Sequence, residues 1–187
     1  MNVYSQIDSN KIKTWLIMAL FIAFITTLVY IYGKASGYGL SYAGIALIFS
    51  GIISFLSYFY SDRMILGMSG AKKIKKEDNP KLFRVVENLS IAAGVPTPNV
   101  YILNDSAPNA FATGRDPKHA VVCATTGLVE KLTETELEGV IAHELSHIKN
   151  FDIRLMSIVS ILVGLVALLA DLFMRNMWYS GDRDRDN

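Results

Sequence analysis

Two neighbouring stretches of the chain carry no charged side chain, and each is long enough to cross a lipid bilayer. They cover residues 14–33 and 35–61, with Lys34 alone between them. A helix needs about 20 residues to cross the hydrocarbon core. Because the link is short, the two are expected to form an antiparallel transmembrane hairpin. A soluble core is the weaker alternative, and a cleaved signal peptide fits poorly because a second span follows directly.

The composition agrees with a membrane protein. Hydrophobic residues make up 51% of the chain and charged residues 19%, whereas soluble domains carry about 25% charged residues. Such a chain is too apolar to be disordered. The formal net charge of +1 gives no electrostatic reason to expect a nucleic-acid partner. Cys123 is the single cysteine, which excludes an intrachain disulfide and a cysteine-based zinc knuckle.

A third apolar run covers residues 155–170 and lies between Arg154 and Asp171. It predicts a third membrane-spanning helix. A helix that lies on the membrane surface, or that is covered by protein, remains the alternative.

Basic residues near the spans predict the orientation. They precede the first span and follow the second, whereas the link holds Lys34 alone. Positively charged loops stay in the cytoplasm, so the N-terminus and the region after Ser61 are expected there. The basic residues in question are Lys11, Lys13, Arg63, Lys72, Lys73, Lys75, Lys76 and Lys81.

Residues 62–152 have the composition of a soluble domain and predict an α+β fold. Asn79 and Pro80 form a helix start and Gly94 a helix end. Apolar and β-branched runs bounded by turn residues predict short strands. These strands are expected at 100–103, 109–113 and 120–125.

A second helix of this region is predicted at 134–150, where it begins with a capping box of Thr133 and Glu136. It carries His143 and His147 four residues apart, so both imidazoles lie on one helix face and can reach one metal ion. Glu144 is turned about 100° from His143. This is the His-Glu-x-x-His arrangement of zinc hydrolases.

The chemistry of this pattern assigns a role to each residue. Zinc held by His143 and His147 would lower the pKa of bound water to about 7 and polarise a carbonyl. Glu144 would act as the general base. The alternative is a pair of surface histidines on an ordinary helix.

Asp152, His119 and Cys123 also carry side chains that can bind a metal or contact its ligands. Asp152 is predicted to accept the free N–H of a ligand histidine; the alternative is a solvent-facing acid beside Arg154. A metal role is not expected for His119 or Cys123, and Cys123 is predicted to be a buried, small apolar residue.

These motifs resemble those of the HtpX-like membrane zinc metalloproteases, which are gluzincin-type endopeptidases. The resemblance rests on residues 143–152 and on the upstream segment 109–114, together with the hydrophobic spans around them. It implies an integral membrane endopeptidase of a bacterial or archaeal plasma (inner) membrane. The catalytic domain would face the cytoplasm, with Zn²⁺ as cofactor. Its substrates would be polypeptides, in particular misfolded or damaged membrane proteins, and it would serve quality control and the stress response.

The resemblance also implies a substrate-binding edge strand, to which an extended peptide adds as a further strand. An ordinary buried strand is the alternative. The residues concerned are Asn109, Ala110, Phe111, Ala112 and Thr113.

One departure from the family concerns the third zinc ligand, which the resemblance places on a glutamate of a later helix. No glutamate follows Glu144 in this sequence. The chain is therefore expected to be the N-terminal part of a longer protease, with weak zinc binding and little turnover of its own. The alternatives are a non-catalytic membrane scaffold and a zinc hydrolase that acts on something other than peptides.

The predicted fold class is therefore a membrane α-helical protein with an added α+β, zincin-like domain. Residues 1–61 would form the N-terminal tail and transmembrane hairpin, and residues 62–152 the cytosolic catalytic domain. Residues 153–187 would form the third hydrophobic helix and a polar tail.

Overall fold

The computed structural model describes residues 3–35, 37 and 40–183. The described part contains six α-helices: α1 Val3–Ala35, α2 Leu40–Ser69, α3 Pro80–Ala93, α4 Thr126–Lys131, α5 Glu134–Lys149 and α6 Asp152–Arg183. It contains four strands: β1 Lys72–Lys73, β2 Asn99–Leu103, β3 Ala110–Thr113 and β4 Val121–Thr125. One 3₁₀ turn covers Pro117–His119.

The predicted membrane hairpin is confirmed. Helices α1 and α2 pack together, and the Trp15 ring stacks on Tyr58 with centroids 5.4 Å apart. Because Trp15 lies in the first half of α1 and Tyr58 in the second half of α2, the helices run antiparallel. Helix α2 continues past Ser61 to Ser69, with a kink where Tyr60 leaves the helical region.

Three helices are long and apolar enough to cross a membrane, in the segments Ser5–Lys34, Tyr42–Ser69 and Asp152–Asp171. The third packs against the hairpin through a small apolar cluster. Met18 and Phe21 of α1 meet Ile158 and Leu162 of α6 there. Contacts with both hairpin helices join the three candidate spans into one bundle.

The remaining elements form a small α+β domain around a four-stranded sheet. The strand order is β1-β2-β4-β3. Strands β2 and β4 are parallel neighbours, while β1 and β3 pair antiparallel to them. Strand β3 is therefore an edge strand. The domain core is apolar, and its fully buried members include Leu82, Val86, Val122, Leu137 and Ile141.

Local signals place the helix ends where the sequence predicts them. Asn79 accepts the backbone N–H of Leu82 at 3.0 Å, and Gly94 ends α3 with φ of 68°. The capping box of Thr133 and Glu136 is present. The sequence does not predict strand β1 or the short helix α4.

The polar tail expected at 181–187 is helical as far as Arg183. Residues 184–187 lie outside the described residues. Helix α5, which carries His143 and His147, is joined to α6 by Asn150 and Phe151 alone. Phe151 has φ of 60°, a left-handed conformation that is rare for a bulky side chain.

Candidate active site

Helix α5 presents its two histidines away from the domain core. Its buried stripe consists of Leu137, Ile141, Leu145 and Ile148, so His143 and His147 lie on the remaining surface. The two ring centroids are 4.6 Å apart and the planes are nearly perpendicular, at 87°. The Nε2 atoms are 3.1 Å apart. Both imidazoles therefore turn the same nitrogen toward one point.

Asp152 lies against His147, where its Oδ2 is 2.8 Å from the histidine Nδ1. An ionised carboxylate only accepts hydrogen bonds, so the His147 Nδ1 carries the proton in this contact. The neutral ring then has its lone pair on Nε2, the atom that faces His143. The Asp152 Oδ1 is buried without a hydrogen-bond partner.

This donor set fits two ligands of one zinc ion. With Zn–N distances of about 2.0–2.1 Å, two nitrogens at tetrahedral positions lie about 3.3 Å apart, close to the 3.1 Å between these Nε2 atoms. Among the described residues, no group of three or more His, Cys, Asp or Glu side chains is placed to hold a metal. The described part of the chain thus offers two candidate ligands, His143 and His147, without a third side chain placed beside them to complete a metal site.

Glu144 lies beside the histidines and against the edge strand. Burial raises the pKa of its carboxyl above the usual range. His147, His143 and a hydrogen bond from the backbone N–H of Ala112 oppose this shift, while Asp152 adds to it. A carboxylate with a raised pKa accepts and releases a proton near neutral pH more readily than an exposed one.

The five residues predicted for the substrate strand fall at the sheet edge. Four of them form β3, whereas Asn109 precedes it and joins β4 through hydrogen bonds with Thr125. Ala110 and Ala112 pack against the domain core. Phe111, Ala112 and Thr113 line a cavity.

The cavity has a volume of about 460 Å³ and lies between β3 and two candidate membrane helices. Its walls include Met68 of α2 and Met156 of α6. The Thr113 hydroxyl is 2.8 Å from that of Ser157 on α6. The edge strand therefore lies between the histidine helix and a largely apolar cavity beside α2 and α6.

His119 and Cys123 lie outside this arrangement. The His119 ring contacts Asp116 through Nδ1 at 2.8 Å and Arg115 through Nε2 at 3.0 Å. Cys123 is fully buried, as predicted, and burial raises the pKa of its thiol to about 11.

Three features of the site have no signal in the sequence. They are the Ala112 amide that contacts Glu144, the left-handed Phe151, and the buried side chain of Arg154. Each depends on contacts between distant segments. A sequence motif consists of residue types at a fixed spacing, and the residues in these contacts have no fixed spacing along the chain.

The fold and the site define a membrane protein of the metallopeptidase class. It joins an apolar helix bundle to a small mixed sheet and a His-Glu-x-x-His helix. The chain belongs to peptidase family M48, whose family model matches residues 76–183.

Curated relatives agree with this assignment. The chain is 47% identical to a protease HtpX homolog of Tropheryma whipplei (strain Twist), over 99% of this chain and 63% of the relative. It is 47% identical to the Dictyoglomus turgidum homolog, over 98% of this chain and 60% of the relative. It is 40% identical to the homolog of Lactobacillus helveticus, over 99% and 64%. The chain thus spans less than two thirds of the length of these relatives.

Proposed function

We propose that this chain carries the active-site helix of a zinc-dependent membrane endopeptidase that cuts misfolded or damaged membrane proteins. His143 and His147 would hold the zinc, and Glu144 would be the general base. The observation that carries the proposal is the 3.1 Å approach of the two histidine Nε2 atoms. The Asp152 contact supports it, because it leaves the His147 Nε2 free to bind a metal.

The chain's own residues supply most of the proposed mechanism. Bound zinc would lower the pKa of water to about 7 and polarise the scissile carbonyl. Glu144 takes a proton from the attacking water and passes it to the leaving amine. The Ala112 amide orients the Glu144 carboxylate. Asp152 holds the His147 ring in one tautomer and raises its basicity.

The substrate would pair with the free edge of β3, contacting Asn109, Ala110, Phe111, Ala112 and Thr113. An extended peptide can add a strand at such an edge through main-chain hydrogen bonds. The neighbouring cavity, with Met68 and Met156 in its walls, would favour apolar side chains. This preference suits polypeptides that come from a membrane.

We also propose where the protein lies in the cell and which segments anchor it. The protein would lie in a bacterial or archaeal plasma membrane with residues 62–152 in the cytoplasm. Residues 1–61 and 153–187 would anchor it. A third zinc ligand outside this chain, on the further sequence of a longer protease, stays a prediction.

A non-catalytic membrane scaffold is the second candidate. It is favoured by one observation, the lack of a third metal-ligand side chain near the histidines within the described residues. A scaffold would use the same fold to bind partners and would not depend on Glu144.

The first experiment tests whether His143 and His147 bind zinc. His143→Ala and His147→Ala should each lower zinc affinity at least tenfold in competition with a chelator. His119→Ala is the matched control, because that histidine is occupied by Asp116 and Arg115. Equal affinity in all three variants would refute the metal site.

Catalysis is tested with Glu144→Gln, using cleavage of an unfolded reporter protein in detergent. The variant should keep zinc and lose any cleavage shown by the unmodified chain. Glu138→Gln is the matched control, since Glu138 is exposed on the same helix. Cleavage that persists in Glu144→Gln would exclude this residue as the base.

A further inference from the structure

Arg154 is a buried arginine in the first turn of α6, with 8% of its surface exposed. Within the described residues it forms no salt bridge with a carboxylate. Its guanidinium instead lies over two rings, 5.2 Å from that of Tyr58 and 5.4 Å from that of Phe151. Its Nε donates to the backbone carbonyl of Arg115. A buried cation held in this way requires an explanation beyond charge pairing.

The contacts of Arg154 surround the link between α5 and α6. Phe151 has a left-handed backbone, and its ring contacts both Arg154 and the Lys11 ammonium, which is 4.9 Å from the centroid. Asn10 of α1 donates from Nδ2 to the carbonyl of Asn150 at 3.1 Å. The link is therefore held by contacts with α1 and with Arg154.

The same turn of α6 carries Asp152, which contacts His147. We propose that Arg154 is a positioning residue that fixes this turn and so holds Asp152 against His147. Its bond to the Arg115 carbonyl ties the start of α6 to the segment that follows β3. The Tyr58 ring adds a connection to the membrane hairpin. The significance for metal binding rests on the proposed function, whereas the positioning itself does not.

The first test observes the hydrogen bond without metal. In protein labelled with ¹⁵N-histidine, the His147 Nδ1–H should give a proton signal protected from exchange. Asp152→Ala should remove this signal, and Arg154→Ala should weaken or remove it. Arg63→Ala is the matched control, because Arg63 also lies over a ring, that of Tyr60, at 5.5 Å, but away from the link. An unchanged His147 signal in Arg154→Ala would overturn the proposal.

The second test measures zinc affinity by chelator competition. Loss of a contact to a ligand histidine lowers metal affinity about 10- to 100-fold. The zinc affinity of Asp152→Ala and that of Arg154→Ala should each decrease by about this factor. Because Arg154 acts through Asp152, the double variant should lose little more than Asp152→Ala alone. Losses that multiply in the double variant would mean that Arg154 acts independently, contrary to the proposal.

A milder variant guards against misfolding of Arg154→Ala. Tyr58→Leu removes one ring under the guanidinium and leaves the arginine in place. It should weaken zinc binding a few-fold in the native background and have no effect in Asp152→Ala. If Tyr58→Leu keeps the zinc affinity of the unmodified chain and an unchanged His147 signal, the result would contradict the positioning role of Arg154. If the unmodified chain binds no zinc but keeps the His147 signal, the metal site fails and the positioning role stands.

Discussion

Burial and hydrogen bonding act in opposite directions on the carboxylate of Glu144. Burial has the larger effect and raises its pKa, while the histidines and the Ala112 amide oppose it. The folded state therefore disfavours the ionised form relative to the unfolded chain. Stability linked to this group is present at low pH and is lost as the pH rises through the raised pKa.

Glu144→Gln should consequently stabilise the metal-free protein at neutral pH. The gain should grow as the pH rises from about 4, near the pKa of about 4.3 of an unperturbed glutamate, and should level off above the raised pKa of the folded state. A melting-temperature rise of up to about 3 °C is expected above that pKa. Thermal unfolding in detergent at several pH values measures it. The exposed Glu138→Gln should show no such trend, and a pH-independent difference for Glu144→Gln would contradict the raised pKa.

Cys123 should resist thiol reagents in the folded protein. Its side chain is fully buried in β4, and burial raises its pKa to about 11. The thiolate is the reactive form, so little of it exists at neutral pH. Alkylation followed by mass spectrometry should detect labelling only after denaturation. Rapid labelling of the native protein would show that β4 is open to solvent.

The turn after β3 depends on a glycine. Gly114 has φ of 135°, and a Cβ at this position would overlap the carbonyl oxygen of His119. Gly114→Ala should destabilise the protein by about 2 to 4 kcal/mol, through backbone strain and steric overlap. Thermal unfolding measures the loss.

Gly139→Ala is the matched control for that change. Gly139 lies in α5, and nothing lies within 4 Å of a Cβ placed there. Alanine in a helix interior is favoured over glycine by about 0.5–1 kcal/mol, so this variant should be slightly more stable. Equal effects from both substitutions would mean that the turn geometry is not restrictive.

At the level of elements, local chemistry was readable in the sequence and long-range pairing was not. The caps at Asn79 and Thr133 depend on neighbours three residues away, so the ends of α3 and α5 were predictable. The parallel pairing of β2 with β4 joins segments that are separated along the chain. The two residues of β1 carry no alternation pattern, which explains why that strand was missed.

The predicted orientation of the whole molecule in the membrane places both flanks of the hairpin in the cytoplasm. In a Cys123→Ser background, Asp8→Cys and Lys76→Cys should react with a membrane-impermeant maleimide only from the cytoplasmic face. Lys34→Cys should react only from the opposite face, and loss of this lysine strengthens the positive-inside bias. All three positions are exposed. The reverse labelling pattern would invert the orientation.

The membrane helices are predictable from the sequence because the length of an apolar run is a property of contiguous residues. His143, Glu144 and His147 are predictable because helical spacing alone brings them together. The role of Arg154 is not, since no feature of the 154 position indicates that Tyr58 and the Arg115 carbonyl meet it. The groups that hold the site in place come from four separate segments, which are α1, α2, the turn after β3 and the start of α6.

The link of two residues between α5 and α6 limits how far the histidines can stand from lipid. His147 precedes Asp152, where the candidate span Asp152–Asp171 begins. With a rise of about 1.5 Å per residue, His147 lies within roughly 10 Å of that point. Under the proposed membrane placement, a polypeptide segment would reach this position only after losing its own compact structure beside the bilayer. Under the proposed function, the distance of the site from the bilayer would therefore select substrates before any side-chain preference does.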